Sequence, residues 1–134
     1  METMNHECYV SLEVAKLLKE AGFEWEEHYP RNFCYVNDNT ELFDKSVLKN
    51  YIGEDDVIYL APTLDIAQRW LREVKDIDVY IFPTTNNKRG CVYEWGIKTF
   101  GRALWVEGQP YTNQYETYEE AQEASIKKAL EIIL

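Results

Sequence analysis

The sequence predicts an α+β fold in which helices cover one face of a three-stranded antiparallel sheet. The main observation is a change of period within residues 61–83, where apolar residues first recur at helical spacing and then alternate as in a strand. Two further alternating runs follow, and a helix with a T-x-x-E capping box begins after Thr117. The predicted order is helix, irregular segment, helix, three strands and helix, within a single domain that spans residues 1–134.

Residues 11–21 predict the first helix, which follows a loose N-terminal segment at residues 1–8. Ser11 can accept a hydrogen bond from the first turn as the N-cap, and Gly22 can adopt the left-handed conformation that ends a helix. Leucine, valine and alanine side chains supply one apolar face, while lysines and glutamates supply the opposite face. This helix is therefore expected to bury one side against the rest of the domain.

Residues 24–60 have the weakest pattern and are predicted to form an irregular, aromatic-rich segment. Within it, residues 33–36 predict a short extended piece and residues 45–51 a short helix. A long irregular segment is unusual in a compact domain unless it carries function or packs through its own side chains, and the aromatic residues favour packing. Together with the first helix, this segment is expected to cover an end of the sheet or its outward face.

Residues 63–75 predict an amphipathic helix that leads directly into a strand at residues 77–82. A new element begins at Pro62 because proline cannot continue a helix or a central strand, and Thr63 can cap the first turn. Trp70 is expected to anchor this helix in the core. The whole apolar stripe consists of Leu64, Ala67, Trp70, Leu71 and Val74.

Two more strands and a final helix complete the predicted fold. Pro83 closes the first strand, and a polar loop at residues 84–90 follows it. The next strands are predicted at residues 91–98 and 103–107, and the last helix at residues 118–133. Because each of the two later helices has one apolar stripe to bury, both are expected on the same face of the sheet, joined by the helix at residues 11–21.

The formal net charge of −10 argues against nucleic-acid binding, because such a field repels phosphate backbones. The order helix, three strands, helix in residues 62–134 is similar to that of double-stranded-RNA-binding domains, whose second helix begins with phosphate-binding lysines. In this chain the corresponding residues, 117–120, read T-Y-E-E. RNA binding is therefore not expected, and the acidity suits either solubility or mimicry of a nucleic acid.

No set of residues has the spacing of a metal or catalytic centre. Zinc sites usually contain closely spaced pairs of ligands on turns, which are missing here. The only possible metal ligands are His6, Cys8, His28 and Cys34. The chain has three cysteines, of which Cys91 is the third. Their thiols are expected to be free and mostly buried, and the protein is expected in a reducing compartment.

Two adjacent carboxylate pairs, Asp55-Asp56 and Glu119-Glu120, are predicted to be solvated or to cap a helix. Acid–base catalysis needs two convergent carboxyl groups with separated pKa values, and neighbouring residues point in different directions. A glycine-rich phosphate loop is not found in the sequence. Catalytic, cofactor-binding and metal-binding residues are therefore not assigned, and no cofactor is expected.

The sequence lacks the patterns of membrane insertion and secretion. Its apolar runs are shorter than the roughly 20 residues that a membrane-spanning helix needs. The N-terminal residues combine neither a basic region nor an apolar core, so a signal peptide is not expected. We therefore expect a cytoplasmic protein without a membrane partner.

Three phrases of the sequence resemble a group of small uncharacterised proteins of gut Bacteroidales bacteria and their phages or prophages. They are Y-V-S-L-E-V-A-K-L-L-K-E-A-G-F at residues 9–23, A-P-T-L with W-L-R-E within residues 61–73, and Y-E-E-A at residues 118–121. The resemblance spans most of the chain except residues 24–60, and its motifs are structural. It implies an origin in a mobile genetic element, without an established activity or functional residues to carry over.

The leading hypothesis is a non-enzymatic protein-interaction module of phage origin that acts on an unknown protein partner through an aromatic or acidic surface. An exposed aromatic face commonly marks a partner site. The candidates on the outward side of the sheet are Tyr80, Phe82 and Trp105. The alternatives are an acidic inhibitor that mimics a nucleic acid and a small enzyme without a recognisable motif. A homodimer through the free sheet edge or face is a further expectation.

Overall fold

The computed structural model confirms an α+β fold with antiparallel sheets. It describes residues 8–24, 33–48, 51–86, 90–99, 105–107 and 114–134. The helices are α1 (Leu12–Glu20), α2 (Lys45–Leu48), α3 (Leu64–Val74) and α4 (Tyr118–Ile133). The strands are β1 (Phe33–Val36), β2 (Phe43–Asp44), β3 (Ile58–Leu60), β4 (Ile77–Asn86), β5 (Gly90–Thr99) and β6 (Trp105–Glu107). Strands β4, β5 and β6 form the large sheet, and strands β2, β1 and β3 form the small sheet.

Side-chain caps fix the starts of α1, α3 and α4, as the sequence predicts. The hydroxyls of Ser11 and Thr63 each accept a hydrogen bond, at 3.2 Å, from the backbone N–H three residues further on. At the start of α4, the Thr117 hydroxyl accepts the N–H of Glu120 at 3.1 Å, and the Glu120 carboxylate accepts the N–H of Thr117 at 3.2 Å. Gly22 follows α1 with a φ of +95°, so the chain leaves this helix in a conformation that favours glycine.

The large sheet is antiparallel throughout, with β5 between β4 and β6. Strand β4 is longer than predicted, because residues 83–86 continue to pair with β5 instead of forming a loop. Pro83 fits within the strand because its partner Tyr93 directs its backbone groups away from β4 and exchanges hydrogen bonds with Tyr115, at 2.8 and 2.9 Å. The missing N–H of proline therefore leaves no gap between β4 and β5.

Helices α3 and α4 lie on one face of the large sheet, as the sequence predicts. Val79 and Ile97, which are partners across β4 and β5, are almost completely buried on that face. One buried cluster joins α1, α3, α4 and both sheets. Its largest fully buried side chains are Leu18, Leu71, Ile77, Ile97, Ile126 and Leu130.

A chain of polar side chains crosses the interface of α3, α4 and β4. The side-chain amide of Gln122 donates to the carboxylate of Asp65 at 2.7 Å and to the side-chain oxygen of Gln68 at 2.8 Å. The amide of Gln68 in turn donates to the carbonyl oxygen of Val79 at 2.8 Å. Gln122 is only 2% exposed, so its hydrogen bonds compensate for the loss of water.

Helix α1 packs against α4 and β3. Glu123 of α4 accepts the backbone N–H of Ser11 at 3.1 Å, and the Tyr35 hydroxyl of β1 donates to the carbonyl oxygen of Val10 at 2.6 Å. Because α4 lies on the opposite face of the large sheet, α1 does not cover the outward face. The suggestion that α1 covers the outward face was therefore wrong, whereas its contact with α4 agrees with the prediction that it joins the later helices.

The small sheet corrects the prediction that residues 24–60 are irregular. Strand β1 lies in its centre, where Cys34 pairs with residues of both neighbouring strands. Strand β1 and helix α2 coincide with the extended piece and the start of the short helix that the sequence predicts. Strands β2 and β3 have only two and three residues, which is too short to show a period. The remainder of this prediction, at residues 25–32 and 49–50, lies outside the described residues.

Trp70 is confirmed as a core residue, but two other predicted core positions are exposed. Trp70 is 8% exposed, whereas Val74, on the same predicted stripe, is 57% exposed. The reason is that α3 ends at Val74, after which Asp76, with a φ of +56°, turns the chain so that Ile77 enters the core. Cys91 is exposed at the start of β5, where it pairs with Thr85 near the end of β4.

The described end of the N-terminal segment is fixed to α3. The carbonyl oxygen of Cys8 accepts the N–H of Leu64 at 2.8 Å, and Tyr9 forms an antiparallel bridge with Thr63. The prediction of a loose segment was therefore wrong for Cys8, and its other positions, residues 1–7, lie outside the described residues.

The longest helix in the described part of the chain, α4, has 16 residues. Neither α4 nor another helix of that part combines the length and the apolar character of a membrane span.

Candidate functional site

Tyr80 and Phe82 project from β4 on the face of the large sheet opposite α3 and α4, which we call the outer face. They alternate with Val79 and Ile81, which pack toward the helices. The two aromatic rings stack with centroids 6.0 Å apart and an angle of 26° between their planes. Phe82 is 39% exposed and Tyr80 is half-buried. The structure thus brings together two of the three residues predicted for an interaction surface.

Trp105, the third predicted residue, lies in β6 at the edge of the large sheet. Its backbone pairs with Lys98 of β5, and Lys98 pairs with Asp78 of β4. Residues that pair across antiparallel strands share a face of the sheet, so position 105 lies on the outer face together with positions 78 and 98. This row of positions is next to the row that contains Tyr80. The side chain of Trp105 lies outside the described residues, so its place in this surface stays a prediction.

Gly96 makes room for the ring of Tyr80, its partner across β4 and β5. A Cβ at position 96 would lie 2.3 Å from both Cζ and Oη of Tyr80, far inside van der Waals contact. The tyrosine ring therefore occupies the space that a side chain at position 96 would need. An aromatic ring laid over a cross-strand glycine helps to fix the register of two strands, and here it also fixes the ring on which Phe82 stacks.

Charged side chains border the aromatic pair on the outer face. Glu94 is the cross-strand partner of Phe82, and its carboxylate accepts a hydrogen bond from the amide of Gln114 at 3.5 Å. Lys98 lies two residues beyond Gly96 on the same strand and is exposed. An apolar centre with a polar rim is the usual composition of a protein–protein interface.

Replacing Gly96 with alanine should displace the Tyr80 ring and lower the free energy of unfolding by about 1–3 kcal/mol, the usual cost of overpacking. Gly53→Ala is the matched control, because a Cβ there meets Asp56 at 3.6 Å, which is ordinary contact. Urea unfolding of both variants measures the difference. In a Tyr80→Ala background the penalty of Gly96→Ala should largely disappear, and an unchanged penalty would contradict the described packing.

The four possible metal ligands, to which the sequence analysis assigns no metal site, are not all within the described part of the chain. His6 and His28 lie outside the described residues, while Cys8 lies before α1 and Cys34 lies in β1. Groups of three or more His, Cys, Asp or Glu side chains that could hold a metal ion do not occur among the described residues. These residues therefore give a metal centre no support.

All three cysteines are free, and two of them have environments that keep the thiol protonated. Burial raises the pKa of Cys34. Burial also raises the pKa of Cys8, and the negative charges of Glu119 and Asp65 raise it further. A nucleophilic cysteine needs the opposite shift, because the thiolate is the attacking species. Cys8 and Cys34 are therefore poor nucleophiles.

The two adjacent carboxylate pairs contribute to local structure. Asp56 accepts hydrogen bonds from the amide of Asn37 at 3.0 Å and from the N–H of Gly53 at 2.8 Å, and these bonds lower its pKa. Glu120 closes the capping box of α4. A general acid at neutral pH needs a raised pKa, so Asp56 does not resemble one.

The structure adds a shallow cleft, widely open to solvent, that the sequence pattern does not predict. Its volume is about 560 Å³, and Tyr9 and Tyr115 line it together with the first half of α4. The backbones of both tyrosines are held by antiparallel bridges. Tyr9 pairs with Thr63, and Tyr115 pairs with Tyr93. We name it the acidic cleft for its carboxylates, which belong to Glu119, Glu120 and Glu123. The residues that line it are distant in sequence, so no periodic pattern predicts it.

Comparisons with known proteins give no match for the chain: no protein-family model, no curated protein and no solved structure matches it. The resemblance to proteins of gut Bacteroidales and their phages therefore stays a prediction.

Proposed function

We propose that this protein is a non-enzymatic interaction module that binds a partner protein through the outer face of the large sheet. The observation that carries the proposal is the stack of Phe82 on Tyr80, in which Phe82 leaves 39% of its surface exposed. Aromatic side chains contribute most of the binding energy in many interfaces, because they bury a large apolar area in a pocket of the partner.

The packing of the outer face favours binding because the rings are positioned in advance. Gly96 leaves the space that the Tyr80 ring fills, and Phe82 stacks on that ring. Side chains that are already ordered lose little conformational freedom on association, which lowers the entropic cost of binding. Glu94 and Lys98 then offer charged contacts at the rim.

Within this proposal, the module is an accessory protein of phage origin that works in the cytoplasm. The resemblance of its sequence phrases supports the origin. The three free thiols suit a reducing compartment. The raised pKa values of Cys8 and Cys34 support a binding role over cysteine-based catalysis.

The test compares Phe82→Thr with Val74→Thr in affinity capture from cells of the native host. Val74 is the matched control, because it is 57% exposed but lies at the end of α3, which packs on the other face of the sheet. Phe82→Thr should reduce capture of the partner at least about tenfold, since a central aromatic residue contributes about 2 kcal/mol or more. Val74→Thr should capture as much as the wild type. Equal capture by both variants would contradict the proposal.

A second copy of the chain is the simplest partner, and the same variants test it. Light scattering at high micromolar concentration should give the mass of a dimer for the wild type and for Val74→Thr. Phe82→Thr should shift the mass toward that of the monomer. A monomeric wild type would rule out the homodimer, and the capture experiment would then decide on a different partner.

The acidic charge supports a nucleic-acid mimic less well. A mimic needs carboxylates that are available to the cations of its partner. Three described carboxylates are instead paired with cations of the same chain, in Lys16–Asp38, Arg69–Glu73 and Lys127–Glu13.

A further inference from the structure

Glu123 of α4 joins that helix to the start of α1. Its two carboxylate oxygens lie 3.1 and 3.3 Å from the backbone nitrogen of Ser11, so they share one N–H donor. Ser11 is the N-cap of α1, and its hydroxyl accepts the N–H of Val14 at 3.2 Å. Its carbonyl oxygen accepts the N–H of Ala15 at 2.8 Å. The carboxylate therefore acts on the residue that begins α1.

A second polar contact joins the same two helices about one turn further along. Lys127 of α4 pairs with Glu13 of α1 at 2.8 Å. The charges of both residues act on Glu123, Lys127 as an attractive and Glu13 as a repulsive charge. The cation near Glu123 is thus bound to a different carboxylate, and the junction of α1 and α4 contains two acids for one base.

The other titratable groups around this junction, within the described residues, are acidic or neutral. They are Glu119 and Glu120 of α4, Asp65 of α3, Cys8 of the N-terminal segment and the buried Tyr35 of β1. Strands β4 and β5 meet α4 with apolar and aromatic side chains of their inner faces. The surroundings of Glu123 therefore favour its neutral form over its charged form.

Burial raises the pKa of Glu123, and the charge of Glu13 raises it further. Hydrogen bonds from Ser11 and the charge of Lys127 oppose this shift without cancelling it. The geometry accounts for the direction, because one backbone N–H serves two oxygens and Lys127 is bound to Glu13. Glu123 also lines the acidic cleft, which is open to solvent, so a proton can reach it from water.

We propose that Glu123 is a pH-sensitive latch that binds a proton in mild acid and then holds the start of α1 more firmly against α4. The neutral acid keeps its carbonyl oxygen as an acceptor for the N–H of Ser11, and it no longer repels Glu13. At neutral pH the carboxylate is charged and loses part of its hydration when α1 is docked. The latch lies across the large sheet from the outer face, so the inference stands independently of the function proposed above.

Proton binding determines the sign of the pH dependence. The pKa of Glu123 in the folded protein lies above its unfolded value of about 4.3. The stabilisation by the bound proton is complete below the unfolded pKa and is lost as the pH rises through the folded pKa. Because one proton is bound, the opening equilibrium of the junction changes by at most about tenfold per pH unit.

The test measures hydrogen exchange of the Val14 and Ala15 N–H groups by NMR, as protection factors from neutral pH to mild acid. Glu123→Gln keeps an acceptor oxygen but does not titrate. Relative to this variant, protection in the wild type should rise by at least about twofold toward acid. Glu20→Gln, an exposed position at the other end of α1, is the matched control and should keep the wild-type profile. Parallel profiles of the wild type and Glu123→Gln would overturn the proposal.

A third variant tests the arrangement of charges around the latch. Glu13→Gln removes the repulsive charge and releases Lys127, which can then pair with Glu123. The pKa of Glu123, followed by the ¹³C shift of its carboxyl carbon, should lie above about 4.3 in the wild type and fall in this variant. A wild-type pKa at or below that value, or an unchanged pKa in Glu13→Gln, would contradict the latch. Thermal unfolding confirms that each variant is folded.

Discussion

Replacing Leu71 with alanine should lower the free energy of unfolding by about 2–5 kcal/mol, the usual cost of removing a fully buried leucine side chain. Leu71 has no exposed surface and belongs to the cluster that joins the helices to both sheets. Its neighbours are held by other elements, so they cannot close the cavity completely. Urea unfolding measures the loss.

The matched control for this prediction is Val74→Ala, on the same helix. The sequence places Val74 and Leu71 on one apolar stripe, but Val74 is 57% exposed. Its replacement should therefore change the free energy of unfolding by less than about 0.5 kcal/mol. A loss as large as that of Leu71→Ala would contradict the burial pattern of α3.

Replacing Gln122 with glutamate should destabilise the fold at neutral pH by about 3–5 kcal/mol, the usual cost of an uncompensated buried charge. Gln122 is 2% exposed, and its amide donates to Asp65 and Gln68. The introduced carboxylate has no N–H to donate, so the hydrogen bonds to Asp65 and Gln68 would both be lost. It would also face the carboxylate of Asp65. In acid the protonated carboxyl group regains one donor, so the penalty should shrink.

The pH dependence of this variant follows from proton binding. The introduced carboxyl group should have a pKa in the folded protein above its unfolded value of about 4.3. Between these two pKa values the folded state binds more protons than the unfolded state, so stability falls as the pH rises through that window. Gln122→Met removes the same donors without a titrating group, so its penalty should not vary with pH. Urea unfolding at acidic and neutral pH compares them, and parallel profiles would contradict the buried position of Gln122.

The α3–β4 unit is predictable from sequence because its determinants are local. Thr63 caps the turn that follows it, and the apolar period changes within a few residues where the helix becomes a strand. The same holds for the capping box of α4. The end of β4 was misplaced because the effect of Pro83 depends on Tyr93 and Tyr115, which are distant in sequence.

The small sheet and the buried polar chain were not predictable for a different physical reason. A strand of two or three residues carries no period, so β2 and β3 become visible only through their pairing with β1. Gln122 reads as a surface residue of α4, because its partners Asp65 and Gln68 lie on another helix. Local sequence contains no information on such partners.

One part of the candidate site is predictable from local sequence, and the other part depends on the tertiary structure. Alternation along β4 places Tyr80 and Phe82 on one side of the strand, which sequence alone predicts. The space for the Tyr80 ring comes from Gly96, whose role depends on the register of β4 with β5. The acidic cleft needs Tyr9 and Tyr115, which lie near opposite ends of the chain, so its prediction requires the tertiary structure.

Strand β4 is an edge of the large sheet, and two features make it a poor template for an added strand. The carbonyl oxygen of Val79 is occupied by the amide of Gln68, and Pro83 offers no N–H. A foreign strand would miss a hydrogen bond at each of these positions, which is one way in which proteins resist edge-to-edge polymerisation. The chain can thus present the ring of Phe82 to solvent while its neighbouring backbone discourages fibril growth, and recognition there falls to side chains.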